Sequence, residues 1–138
     1  MTTTGAEYRA RNVTVVETFH ANNGSMPNGA SLLLLTTKGA KSGQTRLNPL
    51  AYTRDGDRFV VIASKGGGPS NPDWYHNLVA HPEVTVEVGA ERFEARARTA
   101  EGEERQRLYD AQAALMPNFA EYEKKAPRQI PVVILERL

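Results

Sequence analysis

The stretch SLLLLTT at positions 31–37 carries four consecutive leucines and constrains the fold more than any other segment. A run this short cannot span a bilayer. Its unbroken hydrophobicity reads as a β-strand buried on both faces. QTRLNPLAYTR (44–54) returns as a second strand after the turn KGAKSG (38–43). Pro49, lacking an amide donor, is expected at an edge or a bulge. DGD (55–57) marks a hairpin into RFVVIAS (58–64), and EVTVEV (83–88) and RFEARART (92–99) alternate at period two around Gly89. IPVVILER (130–137) closes the chain as a sixth strand.

Helices fit between these strands. Val13, Val16 and Phe19 recur at helical spacing over 9–21, after a polar start in which residues 1–12 are expected to be a flexible tail. DWYHNLVAH (73–81) reads as a short helix. Another is expected from Thr99, supported by Glu101, Glu103 and Glu104 near the positive end of its dipole, to about Leu115. Leu108, Ala111 and Leu115 are expected on its inner face. A last helical piece covers 118–125. Strands joined mainly by hairpins, with helices inserted, predict an α+β, mainly β chain. It folds as one domain over residues 1–138, a small antiparallel barrel rather than a Rossmann sheet.

Composition narrows the function. Seventeen basic side chains against sixteen acidic ones leave a formal charge of +1, so any anion site must come from local clustering. With that balance and no aromatic stacking row, no nucleic-acid partner is expected. The absence of cysteine excludes disulfides, thiolate metal sites and a cysteine nucleophile. MTTTGAEYRARN has no apolar core behind a basic segment, so it does not read as a signal peptide, and a reducing cytosol fits.

Charge does cluster in TTKGAKSGQTR (36–46), where Lys38, Lys41 and Arg46 surround a turn with two glycines. Two readings are open: a solvated hairpin tip, or a seat for an anion built from turn amides and cations. The spacing is not that of a Walker A loop. ASKGGGPSNP (63–72) repeats the theme, with Lys65 before three glycines. Such a run is costly to order unless backbone must approach something closely. In DWYHNL the single tryptophan suits a core, while Asp73, His76 and Asn77 could contact a ligand. His20, His76 and His81 lack metal-site spacing, so no metal is expected, and no GxSxG serine is present. Met116, Phe119 and Tyr122 form an apolar stripe, either packed on the barrel or facing a substrate.

Taken together, LLLLTTKGAKSGQTRLNPLAY, VVIASKGGGPSNPDWYHNLVAHPEVTVEVG and IPVVIL resemble the deazaflavin-dependent nitroreductase and quinone reductase family of actinobacteria. The resemblance runs from about Val13 to Leu135. It implies a split β-barrel of the flavin-reductase, FMN-binding type, and coenzyme F420, an 8-hydroxy-5-deazaflavin with a phosphate and an oligoglutamate tail. It implies tail contacts at Ala40, Lys41 and Ser42 and at Arg46, Leu47, Asn48, Pro49 and Leu50, to which the charge cluster adds Lys38. Ring contacts fall on Ile62, Ala63, Ser64 and Lys65, and a third contact segment on Asp73, Trp74, Tyr75, His76 and Asn77. The family's substrate-side tyrosines fall on Met116, Phe119 and Tyr122, of which only Tyr122 is a tyrosine here. The expected reaction is hydride transfer from F420H2 to a quinone or another flat, electron-poor acceptor such as a nitroaromatic. Ser64 would steady charge and Tyr122 would orient or protonate the acceptor. An FMN-dependent reductase on the same barrel and a non-catalytic F420 carrier are the alternatives. The chain is expected to be cytoplasmic, as a monomer or homodimer, with transient contact at the inner membrane face if its acceptor is a membrane quinone.

Overall fold

The computed structural model describes residues 5–27, 29 and 31–138, with side chains from Val13 onward. Helix α1 spans Gly5–Ala21. Strands β1 (Leu32–Lys38), β2 (Thr45–Ala51), β3 (Thr53–Asp55) and β4 (Arg58–Ile62) follow, then a short 3-10 turn and helix α2 (Asp73–Ala80). Strands β5 (Glu83–Val88) and β6 (Glu91–Thr99), helices α3 (Gly102–Leu115) and α4 (Asn118–Lys125), and strand β7 (Val132–Arg137) complete the chain. The helix at the start begins at Gly5, so residues 5–12 are helical rather than part of the expected tail; residues 1–4 lie outside the described set.

All strands belong to one antiparallel sheet in the order β2-β1-β5-β6-β7-β4-β3. Its two edges, β2 and β3, are separated in the chain only by Tyr52. One bent strand therefore supplies both edges and curls the sheet into a barrel. The second strand expected from sequence is this bent strand, so six expected strands become seven. Pro49 sits on β2, which pairs only with β1, where a missing amide donor costs nothing to the ladder. Gly56, at φ +63, opens the two-residue hairpin from β3 to β4, as expected for DGD.

Alternation along the strands divides the core. Leu33 and Leu35, Phe59 and Val61, and Val133 and Leu135 face the barrel interior, where Trp74 and Leu78 of α2 close one end. Val60, Ile62, Val132 and Ile134 face outward and are covered by Leu108 and Tyr109 of α3 and Phe119 of α4. Both faces of β4 and β7 are thus buried, which accounts for their continuous apolar sequences.

Two expectations about α3 are corrected. Thr99 ends β6, its hydroxyl within 3.1 Å of the Tyr75 hydroxyl, and the helix starts at Gly102 behind Glu101. Its inner face carries Arg105, Leu108, Tyr109 and Gln112, whereas Ala111 is exposed and Leu115 is 73% exposed. The polar tips of Arg105 and Tyr109 can be buried because they find backbone acceptors, whereas Gln112 Oε1 accepts from Thr53 Oγ1 at 3.4 Å and its Nε2 has no partner among the described residues. Tyr109 Oη donates to Phe119 O at 2.6 Å, and Arg105 Nη2 donates to Ile130 O at 2.7 Å. Burial pushes the Tyr109 hydroxyl up to about 12, so it remains a donor at physiological pH.

Charged pairs tie α3 to the sheet. Asp55 accepts from Arg107 and Arg58, Glu104 accepts from Arg58 and Arg98, and Arg98 reaches Glu136. Hydrogen bonds from Arg107 and Arg58 hold the Asp55 carboxyl down at about 2 against an ordinary 3.8. Because the folded value is the depressed one, this stabilisation is present above pH 3.8 and is lost as pH falls through about 2. Asp55→Asn is expected to lower unfolding stability by about 1–2 kcal/mol at pH 7, discounted for partial solvation. Urea unfolding of parent and variant between pH 7 and pH 3 should show the gap narrowing with acid; a pH-independent gap would show that the ion pairs are not its source.

Candidate active site

The antiparallel order fixes which loops meet. The C-terminal ends of β1, β4 and β6 and the N-terminal ends of β2, β5 and β7 share one end of the barrel. The basic turn, the glycine run, α2, α3 and α4 all emerge there. A cavity of about 310 Å³, lined in part by Asn23, Tyr52 and Gly89, lies at the opposite end.

The basic turn is a closed hydrogen-bonded loop. Gly39 N–H donates to Gln44 O at 2.8 Å, Gly43 N–H to Gly39 O at 3.0 Å, and Gln44 N–H to Ser42 Oγ at 3.1 Å. A Cβ at Gly39 would lie 2.6 Å from Ser42 Oγ, so a side chain there would displace the hydroxyl that accepts from Gln44 N–H. Ala40 N–H donates to Asn77 Oδ1 at 3.0 Å, and Asn77 Nδ2 donates to Thr37 Oγ1 at 3.1 Å. Asn77 is 7% exposed, with both ends of its amide committed to tying α2 to the turn. The amides of Lys41 and Ser42 have no protein acceptor among the described residues.

Lys38, Lys41 and Arg46 are exposed, and none has a carboxylate partner among the described residues, whereas Arg58, Arg96, Arg98, Arg105, Arg107 and Arg137 all do. Free cations beside two free amides suit a polyanionic ligand. Further along β2, register sets Arg46 opposite Thr37, Asn48 opposite Leu35 and Leu50 opposite Leu33, on the barrel-interior face. Leu47 and Pro49 alternate to the other face.

The second loop is strained. Ile62 and Ala63 are buried, Ser64 is nearly so, and Lys65, Gly66 and Gly67 follow at φ +48, +62 and +81. A Cβ at Gly67 would lie 3.2 Å from Tyr122 Cα and from Lys125 Cδ, so the glycine run docks directly on α4. Lys65 Nζ donates to Ser70 Oγ at 3.2 Å. Arg128, which the sequence reading did not single out, holds this loop from below. Its Nε donates to Gly68 O at 3.2 Å, and its Nη2 to Ser64 O at 3.1 Å and Ser70 O at 2.9 Å. Its partners are mostly backbone carbonyls, which no side-chain pattern announces. Burial pushes its pKa down, although it remains a cation.

The remaining expected residues divide by exposure. In α2, Trp74 and Asn77 are buried and Tyr75 is half-buried, leaving Asp73 and His76 exposed at the barrel end. Phe119 is 6% exposed within the outer core. Met116 and Tyr122 are half-buried; Tyr122 packs edge-on to Phe119 at 5.3 Å, and its hydroxyl accepts from Asn118 Nδ2 at 3.1 Å. The apolar stripe is therefore core at its centre and open at its flanks.

The curled barrel thus carries one basic rim without carboxylate partners among the described residues, an arrangement chemically suited to an anionic ligand. Comparison with known proteins gives that arrangement its chemistry. The family described as F420H(2)-dependent quinone reductase matches residues 6–137. An F420H(2)-dependent quinone reductase of Mycobacterium tuberculosis strain H37Rv is 41% identical over 115 residues, covering 81% of this chain and 77% of that protein. Among solved structures, an F420-H2 dependent reductase aligns with a TM-score of 0.71 at 41% identity, over 77% of this chain and 94% of the other. A relative described as a domain-swapped dimer aligns at 0.74 with 34% identity, over 96% of this chain and 100% of the other. The heme storage protein of Vibrio cholerae, at 14% identity and a TM-score of 0.59 over 91% of this chain and 89% of that one, shares the split-barrel fold alone.

The chain belongs to the F420H2-dependent quinone reductase family. It is an oxidoreductase on a split barrel, and its cofactor is coenzyme F420. The turn's exposed cations and unpaired amides are of the chemical kind that an anionic tail would engage.

Glycine substitutions test the docking of the second loop. Gly66→Ala should cost about 1–2 kcal/mol from its left-handed backbone. Gly67→Ala should cost at least about 1 kcal/mol more, because its Cβ also meets α4. Urea unfolding of both variants measures the difference; equal costs would mean that the α4 contact does not fix the loop.

Proposed function

We propose that the basic turn holds the phosphate and glutamate tail of F420 through Lys38, Lys41 and Arg46 and through the amides of Lys41 and Ser42. Residues 62–65 border the deazaflavin ring, and Asp73 and His76 bound its far side. The single observation that carries this reading is the cluster of cations without counter-ions in a chain whose other arginines are largely paired. When bound, the reduced cofactor supplies two-electron hydride chemistry. The protein's part is to fix ring and acceptor face to face and exclude water, since proximity and orientation alone can supply several kcal/mol. Ser64, nearly buried at the end of the inner core, steadies charge beside the ring. Met116 and Tyr122, the open flanks of the stripe, bound the acceptor, and the Tyr122 hydroxyl orients it or delivers a proton.

A quinone is the acceptor that the family match supports, and nitroaromatics share the flat, electron-poor shape this wall would accept. No helix among the described residues is long and apolar enough to cross a membrane. A cytosolic enzyme meeting a membrane quinone at the inner face fits this reading. A homodimer is the assembly that the domain-swapped relative supports.

Parallel titration with F420 and FMN, followed by anaerobic mixing of bound F420H2 with menadione, tests the reading. Preferred binding of FMN, or tight F420 binding without oxidation by any of several quinones, would overturn it. Lys41→Ala and Arg46→Ala should each weaken F420 binding about tenfold, the loss expected for one charge-assisted contact. Both should also flatten its salt dependence. Tyr122→Phe should lower quinone turnover while leaving cofactor affinity nearly intact; an equal loss of affinity would move Tyr122 into the cofactor site.

A further inference from the structure

The Arg128 guanidinium makes more hydrogen bonds to one loop than any other side chain described. Besides Ser64, Gly68 and Ser70, it reaches Ala63 O at 3.3 Å and Asn71 Oδ1. No carboxylate among the described residues pairs with it. A half-buried cation without a counter-ion is retained at a cost, which points to a task beyond gluing a loop.

Two of its acceptors, the carbonyls of Ala63 and Ser64, belong to the peptide units that also carry the N–H groups of Ser64 and Lys65. No peptide bond described here is cis, so each of these N–H groups points away from its own carbonyl and hence away from Arg128. Neither N–H has a protein acceptor among the described residues. A cation on a carbonyl oxygen draws electron density across the amide and strengthens the N–H as a donor. The left-handed backbone at Lys65 and Gly66 then turns the chain sharply away, leaving the two donors side by side in sequence.

We propose that Arg128 is a positioning residue of the redox site. It holds and polarises the peptides 63–64 and 64–65, so that the Ser64 and Lys65 N–H groups form a donor pair for a carbonyl or anionic oxygen of the bound ring or acceptor. This rests on the function proposed above, because only that reading places residues 62–65 beside the ring. A lysine cannot replace the guanidinium: a single ammonium lacks the planar fork that spans acceptors from Ala63 to Asn71.

The experiment uses the full chain and three variants, Arg128→Met, Arg128→Ala and Arg128→Lys, the last keeping the charge if the others do not fold. In the cofactor-free protein, amide NMR should show the Ser64 and Lys65 resonances displaced in every variant, with those of Lys41 and Ser42 unmoved. With F420H2 and menadione, Arg128→Met should lose about a hundredfold in kcat, the scale of a lost oxyanion donor. Its F420 dissociation constant should rise by less than about tenfold. Arg128→Lys should recover only part of kcat, and guanidinium ion, but not ammonium, should restore turnover to Arg128→Ala. Unmoved Ser64 and Lys65 resonances, or a kcat loss equal to the unfolded fraction, would overturn the proposal. A parent protein that fails to bind F420 would instead sink the proposed function, while the NMR comparison still decides what Arg128 does to the loop.

Discussion

The strand from Thr45 to Asp55 changes partners at Tyr52, pairing with β1 before it and with β4 after it, and the rest of the molecule depends on that exchange. Without it the sheet would be open, with two long apolar edges. With it, β1 and β4 run the same way from opposite ends of the ladder, and the loops that follow them are brought to one rim. The basic turn follows β1 and the glycine run follows β4, so it is the strand topology that sets the two loops at the same end of the barrel. The Phe59 ring stacks near Tyr52 at 5.8 Å, so the corner is also fixed by interior packing.

That rim is built at some expense to stability. Elsewhere, carboxylates satisfy arginines in a chain of pairs from Arg107 to Glu136. At the rim, Lys38, Lys41 and Arg46 have no carboxylate partner among the described residues, and Lys65 holds a left-handed backbone that costs a non-glycine residue about 1–2 kcal/mol. Strain and like charge gathered at one end of an otherwise well-paired fold are what a ligand site requires, since the ligand's own charge supplies the missing partner.

Much of this was legible in the sequence because strands announce themselves at period two and turns by glycine. The hairpins at Gly56 and Gly89, the α4 bounds and the edge position of Pro49 all follow from local chemistry. What was hidden depended on partners distant in the chain. The phase of α3 could not be read from Leu108, Ala111 and Leu115, because Arg105 and Tyr109 are buried only by virtue of carbonyls at Ile130 and Phe119. Arg128 was invisible for the same reason. Trp74 and Phe119, each open to a ligand reading in sequence, turned out to serve the two faces of the core.

Asn77 shows how closely fold and charge are coupled at the rim. Ala40 N–H needs an acceptor, and an aspartate would supply a stronger one than an amide. An aspartate, however, would set a negative charge directly behind Lys41, neutralising the rim before any ligand arrived. It could not donate to Thr37 Oγ1 either, which Asn77 Nδ2 does at 3.1 Å. Burial would penalise the carboxylate further. The neutral amide anchors the turn through both of its ends and leaves the cations beyond it unpaired, so the same residue that makes the turn rigid keeps its charge available.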